Sequence, residues 1–231
     1  IDRIAKPLGS MGRLEVLAAR LAAIQDTLRP ELSPREHFVF AADHGIAEED
    51  ISKSPKEVTR QVVYSMLRGG AGICFLCRQH DFHLHLVDVG VDHDFGDEPG
   101  LVHRKLRHGT RSYLREAAMT EEEATKALEI GERCVDEALE RGCRLLSFGE
   151  MGITNTSSSA LWMYYLTDLP LEACVGRGSG LDDEGMQRKL AVLRTAVERY
   201  PGTGDAWSVL CYFGGYELVA TVGAMLRAAE R

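Results

Sequence analysis

The chain has 231 residues, of which 45% are hydrophobic and 27% charged, enough for one sizeable α/β domain with a buried core. Its formal net charge of -8 repels polyanions, which argues against nucleic acid or an anionic membrane surface as the main partner. No window approaches the roughly 18 uninterrupted apolar residues of a membrane span, and the amino end lacks a signal-peptide layout, so a cytoplasmic protein is expected. The six cysteines are scattered through apolar helix and strand patterns and are expected to stay reduced.

Leu14, Leu17, Leu21, Ile24 and Leu28 recur at helical spacing and predict an amphipathic helix over 13–28, inside an N-terminal helical segment spanning 1–36. The main domain, 37–231, opens with the apolar run 37–42, which predicts a strand ending at Asp43-His44-Gly45. Helical patterns follow over 56–68 and 71–79. Cys74-Phe75-Leu76-Cys77 falls in the second of these, where the two sulfurs pack along a helix more readily than they hold zinc. A second strand is predicted over 82–89. The stretch 90–118, with His93, Asp94, Asp97, Glu98 and Pro99, reads as a long polar loop, mobile or lining a site. Thr120 and Glu123 form a capping box for a helix that stops at Gly142, and a strand over 144–148 follows at once. The run 173–176 suggests a short fourth strand. Helices are predicted over 157–166, 182–199, 205–213 and 216–230. The alternation predicts an α/β fold of three layers, a mostly parallel sheet with helices on both faces in the Rossmann-like manner, plus the small helical N-terminal part.

In parallel α/β sheets ligands bind beyond the carboxyl ends of the strands, where this chain carries its most polar short motifs. The richest is 148–156. An apolar run delivers Glu150 into a turn between Gly149 and Gly152, and Thr154, Asn155 and Thr156 offer capping oxygens to a helix whose N-terminus favours an anion. Arg177, Gly178, Ser179 and Gly180, after Gly176, make a second turn able to offer N–H groups to a phosphate, and Lys189 supplies a compact cation nearby in sequence. Taken singly, Lys189 reads more often as a solvated surface lysine. Asp43 and Asp88 read as helix caps or loop anchors at least as readily as catalysts. With His44 they also admit a metal-dependent phosphohydrolase, although no H-x-H or H-x-x-x-H pair includes His44.

Several motifs then fall in a familiar order: 6–15 (KPLGSMGRLE), 41–45 (AADHG), 58–59, 87–90 (VDVG), 109–111 (GTR), 149–153 (GEMGI) and 176–182 (GRGSGLD). In order and spacing they resemble the nicotinate-nucleotide:dimethylbenzimidazole phosphoribosyltransferase family, usually called CobT. The resemblance covers essentially the whole chain. It implies transfer of phosphoribosyl from nicotinate mononucleotide to 5,6-dimethylbenzimidazole or a related base, giving α-ribazole phosphate and nicotinate. It further implies a homodimer with small-molecule substrates, no nucleic acid or membrane partner, no cofactor and no metal. Glu150 matches the family's functional glutamate in the glycine turn, Lys189 and 176–180 match phosphate-side positions, and Ser54 falls near the base pocket. A non-catalytic nucleotide- or base-binding homologue is the alternative of a different class. Three departures stand out. Thr154 replaces the second glycine of the usual Gly-Ile-Gly-Asn-Thr-Thr, and Leu8 replaces a frequent proline. The family's general base lies in an Arg-Leu-Gly-Glu-Gly stretch beyond the segment matching 214–217, and these residues do not contain it, so the residues here are expected to be the larger part of such an enzyme and to be inactive alone.

Overall fold

The computed structural model describes residues 3–231; residues 1 and 2 of the expected N-terminal segment lie outside the described residues. Four parallel strands form one sheet: β1 (Arg35–Ala42), β2 (His83–Gly90), β3 (Leu101–His103) and β4 (Leu145–Met151), in the order β3-β2-β1-β4. Because side chains alternate along a strand, β1 serves two layers. Phe38, Phe40 and Ala42 pack with Val135 and Val219 of α4 (Glu121–Glu140) and α9 (Tyr216–Glu230) on one face. Val39 and Ala41 pack with Val63 of α2 (Val58–Leu67) on the other, next to α3 (Gly72–His80). The expected three layers are present.

A second apolar core lies outside the sheet, built by α5 (Asn155–Leu166), α6 (Leu171–Cys174), α7 (Asp183–Arg199) and α8 (Ala206–Phe213) around Leu161, Leu193 and Phe213. A 3-10 turn after β1 carries Ile46 into this core, which ties the helical lobe to the strand end. The first helix, α1 (Arg13–Ile24), buries none of its residues and leaves Leu14, Leu17 and Ile24 exposed.

Three expectations change. The run 173–176 is not a strand: Pro170 stands at the N-cap of the one-turn α6, and a four-residue apolar run carries no period that separates strand from helix. The stretch 90–118 is not a simple polar loop. Its Leu101–His103 forms the edge strand β3, and Val91, Phe95 and Tyr113 are buried between polar neighbours. Its backbone is pinned as well, since Gly109 N–H donates to Gly90 O and Thr110 N–H to Asp43 O. The helix after Glu150 begins at Asn155 rather than Ser157, and none of Thr154, Asn155 or Thr156 caps it through a side chain.

Candidate active site

The carboxyl end of β4, Ile51 and Ser52 of the segment that follows β1, the N-terminus of α5 and the turn before α7 enclose a cleft of about 190 Å³. Glu150, Gly152, Thr154 and Asn155 line it together with Arg177, Gly178, Ser179 and Lys189. Glu150 arrives from the end of β4 and has one edge open to solvent. Asn155, in the first turn of α5, donates its amide N–H to the Glu150 carboxylate. Partial burial pushes the Glu150 carboxyl above the usual range and Glu217 adds to the shift, whereas the Asn155 bond and His44 oppose it.

Lys189 is the larger surprise. It lies on α7 with 1% of its surface exposed, and its Nζ donates to Thr156 Oγ1 at 2.9 Å and to the Gly176 carbonyl at 3.1 Å. Burial lowers its pKa to about 8. No carboxylate is within ion-pair distance of it among the described residues, so the site holds a buried cation satisfied only by neutral oxygens. Gly178 takes a positive φ of 53°, and a Cβ there would lie 3.2 Å from Thr156 Oγ1 and 3.7 Å from Lys189 Nζ, which explains a glycine over the lysine. The uncapped first turn of α5 and this cation face the same space, an arrangement suited to a phosphate.

The other anticipated residues divide. Gly149 packs over His37, with a Cβ position 3.1 Å from its Nε2, and Gly180 has a φ of 100°; both shape the backbone and neither lines the cleft. Gly176 contributes through its carbonyl to Lys189. Arg177 lines the cleft while donating to Leu181 O and Asp183. Ser54 lies in an adjoining hollow that shares Ser52 with the cleft, and Ser52 Oγ is 3.4 Å from Ser179 Oγ. Asp43 is 2% exposed and holds the loop, with Oδ2 accepting the Asp92 N–H at 2.8 Å; burial raises its pKa. Asp88 Oδ1 accepts the N–H groups of Gly90 and Val91, so its carboxylate closes its own turn. Among the described residues no group of three His, Cys, Asp or Glu side chains is arranged to hold a metal.

Sequence reasoning missed Glu217. It sits in α9, 173 positions from His44, and its Oε1 is 2.7 Å from His44 Nε2 with both side chains fully buried. Burial disfavours the charged imidazole, but Glu217, with Asp43 and Glu150 further off, outweighs it and raises the His44 pKa. A charged residue inside the apolar pattern of α9 was the available signal.

A family model described as a phosphoribosyltransferase matches residues 1–231. The chain is 55% identical over its whole length to the nicotinate-nucleotide–dimethylbenzimidazole phosphoribosyltransferase of Parabacteroides distasonis, covering 67% of that protein, and 46% identical to that of Dechloromonas aromatica, again covering 67%. The chain belongs to this family. The crystal structure of CobT from Thermus thermophilus superposes with a TM-score of 0.91 at 42% identity, over 99% of this chain and 69% of that one. The chain thus spans about two thirds of the length of these CobT relatives.

Proposed function

We propose that this chain carries the phosphate- and ribose-side machinery of a CobT enzyme, which transfers phosphoribosyl from nicotinate mononucleotide to 5,6-dimethylbenzimidazole or a related base. The observation that carries this reading is a single cleft lined by both an acid and a buried lysine that has no carboxylate partner among the described residues. A nucleotide phosphate seated on Lys189, the α5 N-terminus and the Gly178 turn directs its ribose toward Glu150. The azole nitrogen then attacks C1′ from the face opposite nicotinate. The new C1′–N bond forms as the old one breaks, the electron pair goes to the pyridine nitrogen, and the azole proton passes to a carboxylate base. By resemblance that base belongs to the family sequence beyond these residues. Glu150 supports the positive charge developing on the ribose, Ser54 borders the seat of the base and Asp43 holds the strand-end loop.

We assign residues 1–36 to an N-terminal helical segment and 37–231 to the transferase domain. The proposed enzyme is a cytoplasmic homodimer. Six buried free thiols suit a reducing compartment, and the exposed apolar residues of α1 suit burial in an assembly.

The test uses the complete enzyme. Glu150→Gln keeps shape and removes charge, so kcat falls about 100-fold or more while nucleotide affinity changes little. Lys189→Ala raises the nucleotide KM by about tenfold to 100-fold, the range expected for a lost hydrogen bond to a charged group. Full turnover by Glu150→Gln, or unchanged nucleotide binding by Lys189→Ala, overturns these roles. Nucleotide binding by the wild type without transfer identifies a binding homologue instead.

A further inference from the structure

Beneath the Gly152 turn lies a charged pair outside the roles assigned above. His44 follows β1, and its Nε2 meets Glu217 Oε1 at 2.7 Å, with both side chains 0% exposed. Its Nδ1 faces Ser158 Oγ of α5 at 3.4 Å. Glu217 occupies the first turn of α9, where the helix dipole favours a carboxylate, and its Oε2 is buried without a hydrogen-bond partner. Two glycines close on the pair. A Cβ at Gly215 would lie 2.2 Å from His44 Cε1, and one at Gly152 would lie 3.1 Å from Glu217 Oε1 and 3.2 Å from His44 Nε2.

Removing two charges from water is costly, and packed apolar side chains would hold the same elements together at no such cost. The position of the pair gives it another use. It supports the turn two residues beyond Glu150, and it places a carboxylate and an imidazole in the electrostatic surroundings of Glu150. From α9, Glu217 disfavours the Glu150 charge; from the end of β1, His44 favours it; from α5, the Asn155 amide binds it. His44 in turn faces Glu217, Asp43 and Glu150. On the far side of the turn, Ile153 N–H donates to Thr59 Oγ1 of α2, so the loop is gripped from two layers.

We propose that His44 and Glu217 are positioning residues for phosphoribosyl transfer: without touching substrate, the pair anchors the Gly152 turn from below and fixes the place of the Glu150 carboxylate and the charge facing it. This rests on the transferase reading above.

The experiment compares wild-type and Glu217→Gln full-length enzyme, with circular dichroism to establish folding. The glutamine keeps the size and an oxygen for His44 but removes the charge. Expected are a fall in kcat of about tenfold or more, a nucleotide KM within about twofold of wild type, and an acid limb of the kcat/KM profile moved to lower pH: the glutamine removes the Glu217 charge and with it the support for a charged His44, and of the two opposing effects on Glu150 that of Glu217 is the larger. A merely structural role would lower the unfolding midpoint and leave the acid limb in place. A folded Glu217→Gln enzyme with wild-type kcat and an unmoved acid limb overturns the proposal while leaving the transferase reading intact. A wild type that performs no transfer overturns both. If Glu217→Gln does not fold, Glu217→Asp decides, because it keeps the charge and shortens its reach to His44 and the Gly152 turn: a folded Glu217→Asp enzyme should still lose kcat, and one with wild-type kcat overturns the proposal.

Discussion

At the level of single residues, Thr154 is the clearest conflict between local preference and tertiary demand. It adopts φ 75° and ψ −3°, a left-handed conformation that a β-branched side chain disfavours, at the position where the family's usual motif has glycine. The turn needs that geometry to swing the chain from Glu150 into α5. Thr154→Gly should therefore raise unfolding stability by about 1 kcal/mol, the left-handed penalty less the added chain entropy of glycine. Urea denaturation checks this, and an unchanged or lower midpoint would show that the Thr154 hydroxyl, bonded to Ile153 O, offsets the strain.

Lys189 makes a second prediction at this scale. Burial sets its pKa at about 8, so the cation that meets a phosphate is fully present only below that pH. As pH rises through this value the lysine becomes neutral, and nucleotide binding must first take up a proton. Apparent nucleotide affinity should thus fall as pH rises from about 7 to 9.5, approaching tenfold per unit above the lysine pKa. Calorimetry in buffers of different ionisation enthalpy reads both the affinity and the proton uptake. A flat affinity with no uptake would remove Lys189 from the phosphate seat.

Among the elements, the contact of α4 with α9 decides where Glu217 stands. The two helices approach so closely that a Cβ on Gly131 would fall 1.9 Å from Ala220 O and one on Gly223 would fall 2.2 Å from Leu128 O. Backbone atoms, not flexible side chains, bar the space, so Gly131→Ala must push the helices apart. The expected cost is at the upper end of the about 1–3 kcal/mol seen for overpacked cores, or more. Because α9 carries Glu217 under the cleft, kcat should fall together with the thermal midpoint. A Gly131→Ala enzyme of wild-type stability would refute this close approach.

For the whole molecule, stability divides between a sheet sandwich and a helical lobe, and the cleft lies where they meet at the strand ends. All six cysteines are buried and free, and burial raises the thiol pKa of Cys134 to about 12 and of Cys211 to about 11. No covalent link between these thiols joins the two parts. Addition of dithiothreitol should leave the unfolding midpoint unchanged, and a thiol reagent should label these positions at neutral pH only as the protein unfolds. Rapid labelling of the native state, or a midpoint that drops on reduction, would contradict that arrangement.

The sequence by itself determined the layered α/β class, three of the four strands, the capping box on α4 and the glycine turn that carries Glu150 from a strand end. Each depends on short-range information: apolar period, capping chemistry, or a glycine turn at a strand end. Taken singly, Lys189 read more readily as a surface lysine, and its 1% exposure corrects that, because its Nζ partners Thr156 and Gly176 arrive from elsewhere in the chain. The edge strand β3 was hidden because three residues carry too little pattern and gain strand character only by pairing with β2. The His44–Glu217 pair was not legible at all. Its partners are 173 residues apart, and only the packing of α9 across β1 brings an imidazole and a carboxylate into one sealed space beneath Glu150.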